Sequence, residues 1–315
     1  MTFRCAPLLM SASTILTCLA ASAHAQERPT DEWLTSPVDD QTFGTYLEFF
    51  AYDRGLPFDL EVVSSRETEG LIEEDIRFAS TPGQPDLTAT VYRPAVSGAA
   101  RPRAIVFLHG GGPIGRRSLG TLRRMRLMAR AGWTVLGFDM LHWGERDTGL
   151  LETYGAQEKA DRLYNQPSAY LEFATQTVRD VGRSYDLLVD EYGVAPDRIA
   201  LVGFSRGAQM SMIAGGADDR LAAVALIHGG HFDALENGHR PAACGANYIG
   251  RISPRPLLMI NGENDRDYFP DTAVRPLQRL VGEPVLIRWT EQSHGILTEE
   301  DHNVLIDWLE KAVPR

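Results

Sequence analysis

Ile199-Ala200-Leu201-Val202-Gly203-Phe204-Ser205-Arg206-Gly207 joins a short, unbroken apolar run to a serine held between two glycines. A run of that kind fits a strand buried on both faces of a parallel sheet. Residues 207–215 continue as a helical segment. The serine therefore stands at a strand-to-helix turn, with its hydroxyl thrust above the sheet edge. Glycines at the two flanking positions remove Cβ atoms for which so sharp a turn has no room. Backbone N–H groups at the start of the helix favour negative charge developing beside that hydroxyl.

Outward from this stretch the same rhythm repeats. Residues 104–108, 134–138, 223–227 and 257–260 are further continuous apolar runs. Helical segments at 117–131, 167–192, 207–215 and 299–313 fall between or after them. Buried strands alternating with helices predict an α/β fold, a doubly wound and mostly parallel sheet of about eight strands flanked by helices. Period-two alternation at 72–78 and 87–92 predicts an antiparallel pair near a sheet edge. Residues 26–70 read as a polar lead-in with one or two helices, and 71–315 as one catalytic domain. The sequence holds no internal repeat or low-complexity tract.

The chain has 315 residues, 43% hydrophobic and 23% charged, which excludes a disordered, collagen-like or coiled-coil protein. Its net charge of −11 and lack of a lysine or arginine cluster argue against nucleic acid and anionic membrane as partners. The basic run from Arg116 to Arg130 is interleaved with Leu, Met and Ala and reads as the solvated face of a helix. Residues 1–25 carry one charge, Arg4, then an apolar run, then Ala23-His24-Ala25. That is the pattern of a cleaved signal peptide, so a periplasmic or secreted protein is expected. Cleavage removes Cys5 and Cys18 and leaves Cys244 alone, which rules out an intrachain disulfide in the mature chain.

A second glycine-rich element, His109-Gly110-Gly111-Gly112, follows the strand at 104–108. Such a loop can present N–H donors to an oxyanion or cradle a phosphate. It lacks the Lys-Ser/Thr of a phosphate loop and the spacing of a dinucleotide site, and beside the serine elbow it reads as an oxyanion hole. A serine nucleophile needs a base, and the base an orienting acid. His294, in a polar loop after the strand at 284–289, and Asp265, just after the strand at 257–260, fill those places. Glu263 and Asp267 compete as the acid. His228, His231 and Asp233 also follow a strand and offer a rival, metal-binding reading that no further ligand completes. His109 reads as a brace for the glycine loop, while His142 and His302 have no motif around them.

Taken together, His109-Gly110-Gly111-Gly112, Gly203-Phe204-Ser205-Arg206-Gly207, Gly262-Glu263-Asn264-Asp265 and Ser293-His294-Gly295 resemble an α/β-hydrolase-fold serine hydrolase. Within that fold the chain is most similar to the branch of dienelactone hydrolases, acetyl xylan esterases and prolyl-oligopeptidase-like enzymes. Asp139-Met140-Leu141-His142-Trp143-Gly144-Glu145-Arg146 and Gln176-Thr177-Val178-Arg179-Asp180 add to the likeness, which covers roughly residues 70–313. The resemblance implies Ser205 as nucleophile, His294 as base and Asp265 as acid. It also implies oxyanion donors from the backbone of Arg206, Gly111 and Gly112. Dienelactone hydrolases proper use a cysteine, so Ser205 points away from that activity. The peptidases of the branch carry a propeller domain for which this chain is too short.

These expectations converge on an exported esterase acting on a small-molecule or sugar-like ester with a short acyl group. It would need no cofactor and no metal. A peptidase or amidase on the same triad, and a ligand-binding pseudo-hydrolase, are the rival readings. The insert between Phe138 and Pro167 has only scattered apolar residues, unlike the continuous apolar face of a lipase lid.

Overall fold

In the computed structural model, residues 31–96 and 102–314 are described. The expected signal segment, with Cys5 and Cys18, lies outside them. Nine strands form one sheet: β1 (Glu61–Thr68), β2 (Leu71–Phe78), β3 (Leu87–Pro94), β4 (Ala104–Leu108), β5 (Thr134–Phe138), β6 (Ile199–Phe204), β7 (Ala223–Ile227), β8 (Leu257–Gly262) and β9 (Val285–Thr290). Their order across the sheet is β1-β2-β3-β5-β4-β6-β7-β8-β9. From β5 to β9 every pairing is parallel, and β1, β2 and β3 add an antiparallel edge. The mostly parallel sheet flanked by helices is thus present, with one strand more than expected.

That extra strand, β1, lies in the segment read as helical lead-in. All eight of its residues are exposed, and its register is broken between Val62 and Ser64. A strand with no buried face leaves no period-two signature, and only pairing with β2 defines it. The lead-in also supplies the expected helix, Asp40–Leu47, whose Phe43 ring packs edge-on against Tyr248 with centroids 5.4 Å apart.

The central strands are buried on both faces because both faces are covered. Val106, Leu108, Leu201 and Val224 meet the helices Pro167–Asp190 and Arg206–Ala217 through Val181, Met210 and Ile213. Ile105, Phe107, Val202 and Ala225 meet the helices Leu119–Arg130 and Glu299–Ala312 through Met125, Met128, Leu305 and Leu309. Each buried aliphatic side chain contributes about 1.5–3 kcal/mol. The helix Glu299–Ala312 starts on a capping box, Thr298 with Asp301.

Two sequence stretches far apart in the chain are joined by buried polar groups. Arg146 Nη1 lies 2.6 Å from Asp180 Oδ2, both fully buried, and Asp180 also accepts from Ser80 Oγ at 2.5 Å and Gln176 Nε2 at 2.7 Å. Asp139 in turn pairs with the buried guanidinium of Arg116. These buried polar contacts tie the loop after β5, from which the insert departs, to the long helix.

Candidate active site

Ser205 sits between β6 and the helix Arg206–Ala217 with φ 55° and ψ −119°, a backbone that non-glycine residues rarely adopt. The turn is forced by packing. A Cβ at Gly207 would run into the carbonyl oxygens of Leu108, the last residue of β4, and of His109 after it, so the helix can approach the sheet only with glycine there. Ser205 N–H donates to Ile227 O at 2.9 Å and ties the turn to β7. The hydroxyl is left above the carboxyl edge of the sheet, where open α/β sheets bind ligands.

The loops after β8 and β9 bring two partners to it. Ser205 Oγ is 2.9 Å from His294 Nε2, and His294 Nδ1 is 2.8 Å from Asp265 Oδ2. The carboxylate accepts the Nδ1 proton, which leaves the Nε2 lone pair facing the serine. Asp265 is 1% exposed. Burial alone would push its carboxyl up, but hydrogen bonds from His228, His294 and the Tyr268 amide outweigh it and hold the group far below the usual range. The Asp267 and Tyr268 amides both donate to its Oδ1 at 2.9 Å.

Of the other acids, Glu263 is turned outward to Arg275 at 2.8 Å. Asp267 approaches the wrong nitrogen for an orienting acid, with its Oδ2 3.4 Å from His294 Nε2. The three residues of the rival metal reading turn to different partners. His228 faces Asp265 at 3.4 Å, His231 Nε2 meets Asp31 at 2.9 Å, and Asp233 binds the Arg206 guanidinium at 2.6 Å. Cys244 is fully buried, 4.0 Å from Asp31, and burial pushes its thiol up.

A cleft of about 540 Å³ opens over the serine, lined by Gly110, Gly111, Gly112, Arg206 and His294 among others. The glycine loop packs directly on the elbow, since a Cβ at Gly110 would lie 3.3 Å from that of Ser205. His109 braces this loop, as expected. Its Nε2 accepts from Met140 N–H at 3.1 Å, which places the proton on Nδ1, 2.7 Å from Gly110 O.

Three features carried no readable signal in the sequence. Lys159, from the insert, donates to Gly111 O at 3.0 Å and fixes the glycine-loop peptide from above. The Arg206 side chain is buried and held by Glu236, Gln209 and Asp233, with its guanidinium 3.5 Å over the Tyr164 ring. Arg124, from the basic helix face read as solvated, instead turns into the cleft over Phe204. A charge-run reading cannot reveal such contacts, because they join residues from separate helices, strands and loops.

No protein-family model matches the sequence, and no curated protein is significantly similar to it. Solved structures are similar. Acetyl xylan esterase 1 from Thermoanaerobacterium sp. JW/SL YS485 superposes with a TM-score of 0.67 at 15% identity, over 90% of this chain and 98% of that one. An acetyl xylan esterase from Paenibacillus sp. R4 gives 0.67 at 16% identity, over 90% and 99%. A glucuronoyl esterase from Solibacter usitatus gives 0.57 at 14% identity, over 88% and 94%. At these identities the likeness is one of fold, and the fold is that of the α/β-hydrolases.

Proposed function

We propose that this α/β-hydrolase-fold chain is an exported serine hydrolase that cleaves carboxylic esters of short acyl groups on a small or sugar-like alcohol. The observation that carries the reading is the continuous hydrogen-bond relay from Ser205 Oγ through His294 to Asp265. Ser205 Oγ attacks the acyl carbon as its proton passes to His294 Nε2, and the carbonyl electron pair moves onto oxygen. Collapse of that intermediate expels the alcohol, which takes the proton from His294. Water then repeats the two steps and releases the acid.

The N–H groups of Arg206 and of Gly111 or Gly112 are the proposed oxyanion donors. Arg206 opens the helix, so its amide adds the favourable end of the helix dipole. Asp265, held ionised, supports the imidazolium that forms between the two steps. Every step runs on side chains and backbone already in the cleft, so the proposal calls for neither metal nor cofactor.

The insert supports the short-acyl part of the reading. Leu151, Leu163 and Tyr164 are buried in the core rather than displayed outward. Tyr154 Oη donates to His142 O at 3.0 Å and Asn165 Nδ2 to Leu235 O at 2.9 Å, so the insert is pinned across the cleft. Export rests on the residue pattern at 1–25; among the described residues no helix is long and apolar enough to cross a membrane.

The test is labelling by a fluorophosphonate probe, followed by assay of p-nitrophenyl esters beside aminoacyl anilides. Labelling at Ser205 with faster ester than anilide turnover is expected. Absence of labelling would leave a ligand-binding protein, and faster anilide cleavage an amidase. N-terminal sequencing of the protein recovered from outside the cytoplasm should begin at Gln26.

A further inference from the structure

Three cations line the cleft: Arg124, Lys159 and Arg206. Arg206 is neutralised by Glu236 and Asp233. Lys159 has Asp233 and Asp267 close enough to favour its charge, and it donates to Gly111 O. Arg124 has no such compensation. None of the described carboxylates forms an ion pair with it, and the neighbouring charge that acts on it is Arg123, which repels it.

Its hydrogen bonding is equally sparse. A guanidinium has five N–H donors, and one of these reaches an acceptor, Nη2 to Gly295 O at 3.0 Å. Nε is buried with no partner. The planar group lies 3.8 Å over the ring of Phe204, the residue before the nucleophile, and Nη1 points along Gly120, where Ser118 and Thr121 continue the wall of the cleft. Burial brings its pKa down to about 10, so it remains charged at neutral pH.

A half-buried, under-paired cation is costly, and folded chains ordinarily neutralise one. This chain has the means, with 42 Asp and Glu against 31 Lys and Arg. The excess of carboxylates also repels anions from the molecule at large, so an anionic ligand needs a local attractor. A guanidinium seated over an aromatic ring, in the wall of the same cleft as Ser205, is suited to a carboxylate.

We propose that Arg124 is a carboxylate-binding residue of the cleft, and that the substrate is an ester carrying a free carboxylate, such as a half-ester of a dicarboxylic acid or an ester of an acidic hydroxy compound. This rests on the ester-hydrolase reading of Ser205 and narrows its substrate class. The competing role is that of a brace, in which Arg124 serves to hold Gly295 and thereby His294. A brace affects charged and neutral substrates alike, whereas a carboxylate-binding residue separates them.

The test measures kcat/KM for two matched pairs: p-nitrophenyl hemisuccinate against p-nitrophenyl pentanoate, and 4-acetoxybenzoate against its methyl ester. In the wild type the anionic member of at least one pair should be preferred, on the order of ten- to hundredfold. R124Q should bring that ratio close to one, and R124K, which keeps the charge, should retain part of it. Absence of a preference in both pairs, or a preference that survives unchanged in R124Q, would overturn the proposal. Should the protein turn over no ester at all, calorimetric titration of S205A with succinate and 4-hydroxybenzoate separates the two readings. Binding that S205A/R124Q loses would uphold the role of Arg124 while the hydrolase reading fails, and no binding would sink both.

Discussion

Glu236 and the guanidinium of Arg206, the residue after Ser205, form a buried ion pair, with Arg206 2% and Glu236 0% exposed. Burial opposes both charges, but each holds the other ionised: Glu236 is kept far below the usual carboxylate range and Arg206 well above its own. Because Arg206 follows Ser205 in the chain, the pair also anchors the first turn of the helix that carries the proposed oxyanion donor. Removing one partner of a buried pair strands the other.

Glu236→Ala should therefore destabilise the protein by about 3 kcal/mol, the lower end of the cost of breaking a buried pair, since Asp233 still faces Arg206 at 2.6 Å. Thermal unfolding should show a Tm lower by roughly 6–12 °C. An unchanged Tm would mean that the pair is not buried as described.

Ser205→Ala should remove ester hydrolysis by several orders of magnitude without changing Tm, because the linked residues act as a unit. His294→Ala should cost nearly as much. His228 touches the same carboxylate, but at 3.4 Å, and it is His294 that meets the serine hydroxyl, so His228→Ala should cost no more than about tenfold. If His228→Ala proved as damaging as His294→Ala, the base would have been misassigned.

Acid should destabilise the fold through Asp265 and Glu236. Both carboxyls have folded-state pKa values depressed below their unfolded values, near 3.9 and 4.3. Their contribution is complete above those unfolded values and is lost as pH falls toward the folded ones. Asp233, raised by burial and then by repulsion from Glu236, acts in the opposite sense and offsets part of the loss. Urea midpoints should hardly change from pH 7 to pH 5 and should drop steeply below about pH 4. Asp265→Asn should flatten that drop, and an unaltered profile in this variant would remove Asp265 as a source.

Acyl-chain dependence tests the cleft and the insert together. Measured kcat/KM should fall beyond about four to six acyl carbons, because a small pocket gains no further burial and begins to clash. Rates should show no jump at the critical micelle concentration. An optimum at decanoyl esters would instead make the insert a lid.

Local chemistry was legible in the sequence where one segment carries it whole. The strand boundaries at Ala104–Leu108, Thr134–Phe138 and Ala223–Ile227 are those of the apolar runs themselves, because a strand covered on both faces is nearly continuously apolar. The serine elbow and the glycine loop were likewise readable, since steric demands at Gly207 and Gly110 are met by residues within the motif. The place of His294 in the loop after its strand was readable in the same way.

What the sequence could not decide depends on contacts between segments. Which of Glu263, Asp265 and Asp267 faces His294 is set by the turn after β8, where two amides capture the Asp265 carboxylate and point it inward. Edge strand β1 exists through its pairing with β2 and has no buried face to betray it. His228, His231 and Asp233 lie close in sequence yet diverge, each drawn to a charged or polar partner far along the chain. Arg124 reads as a solvated charge on a helical segment, and Lys159 carries no signal within the insert, until the fold turns both into the cleft. Burial, charge pairing and the direction of a side chain are properties of the neighbours that tertiary structure supplies, and spacing along one chain does not carry them.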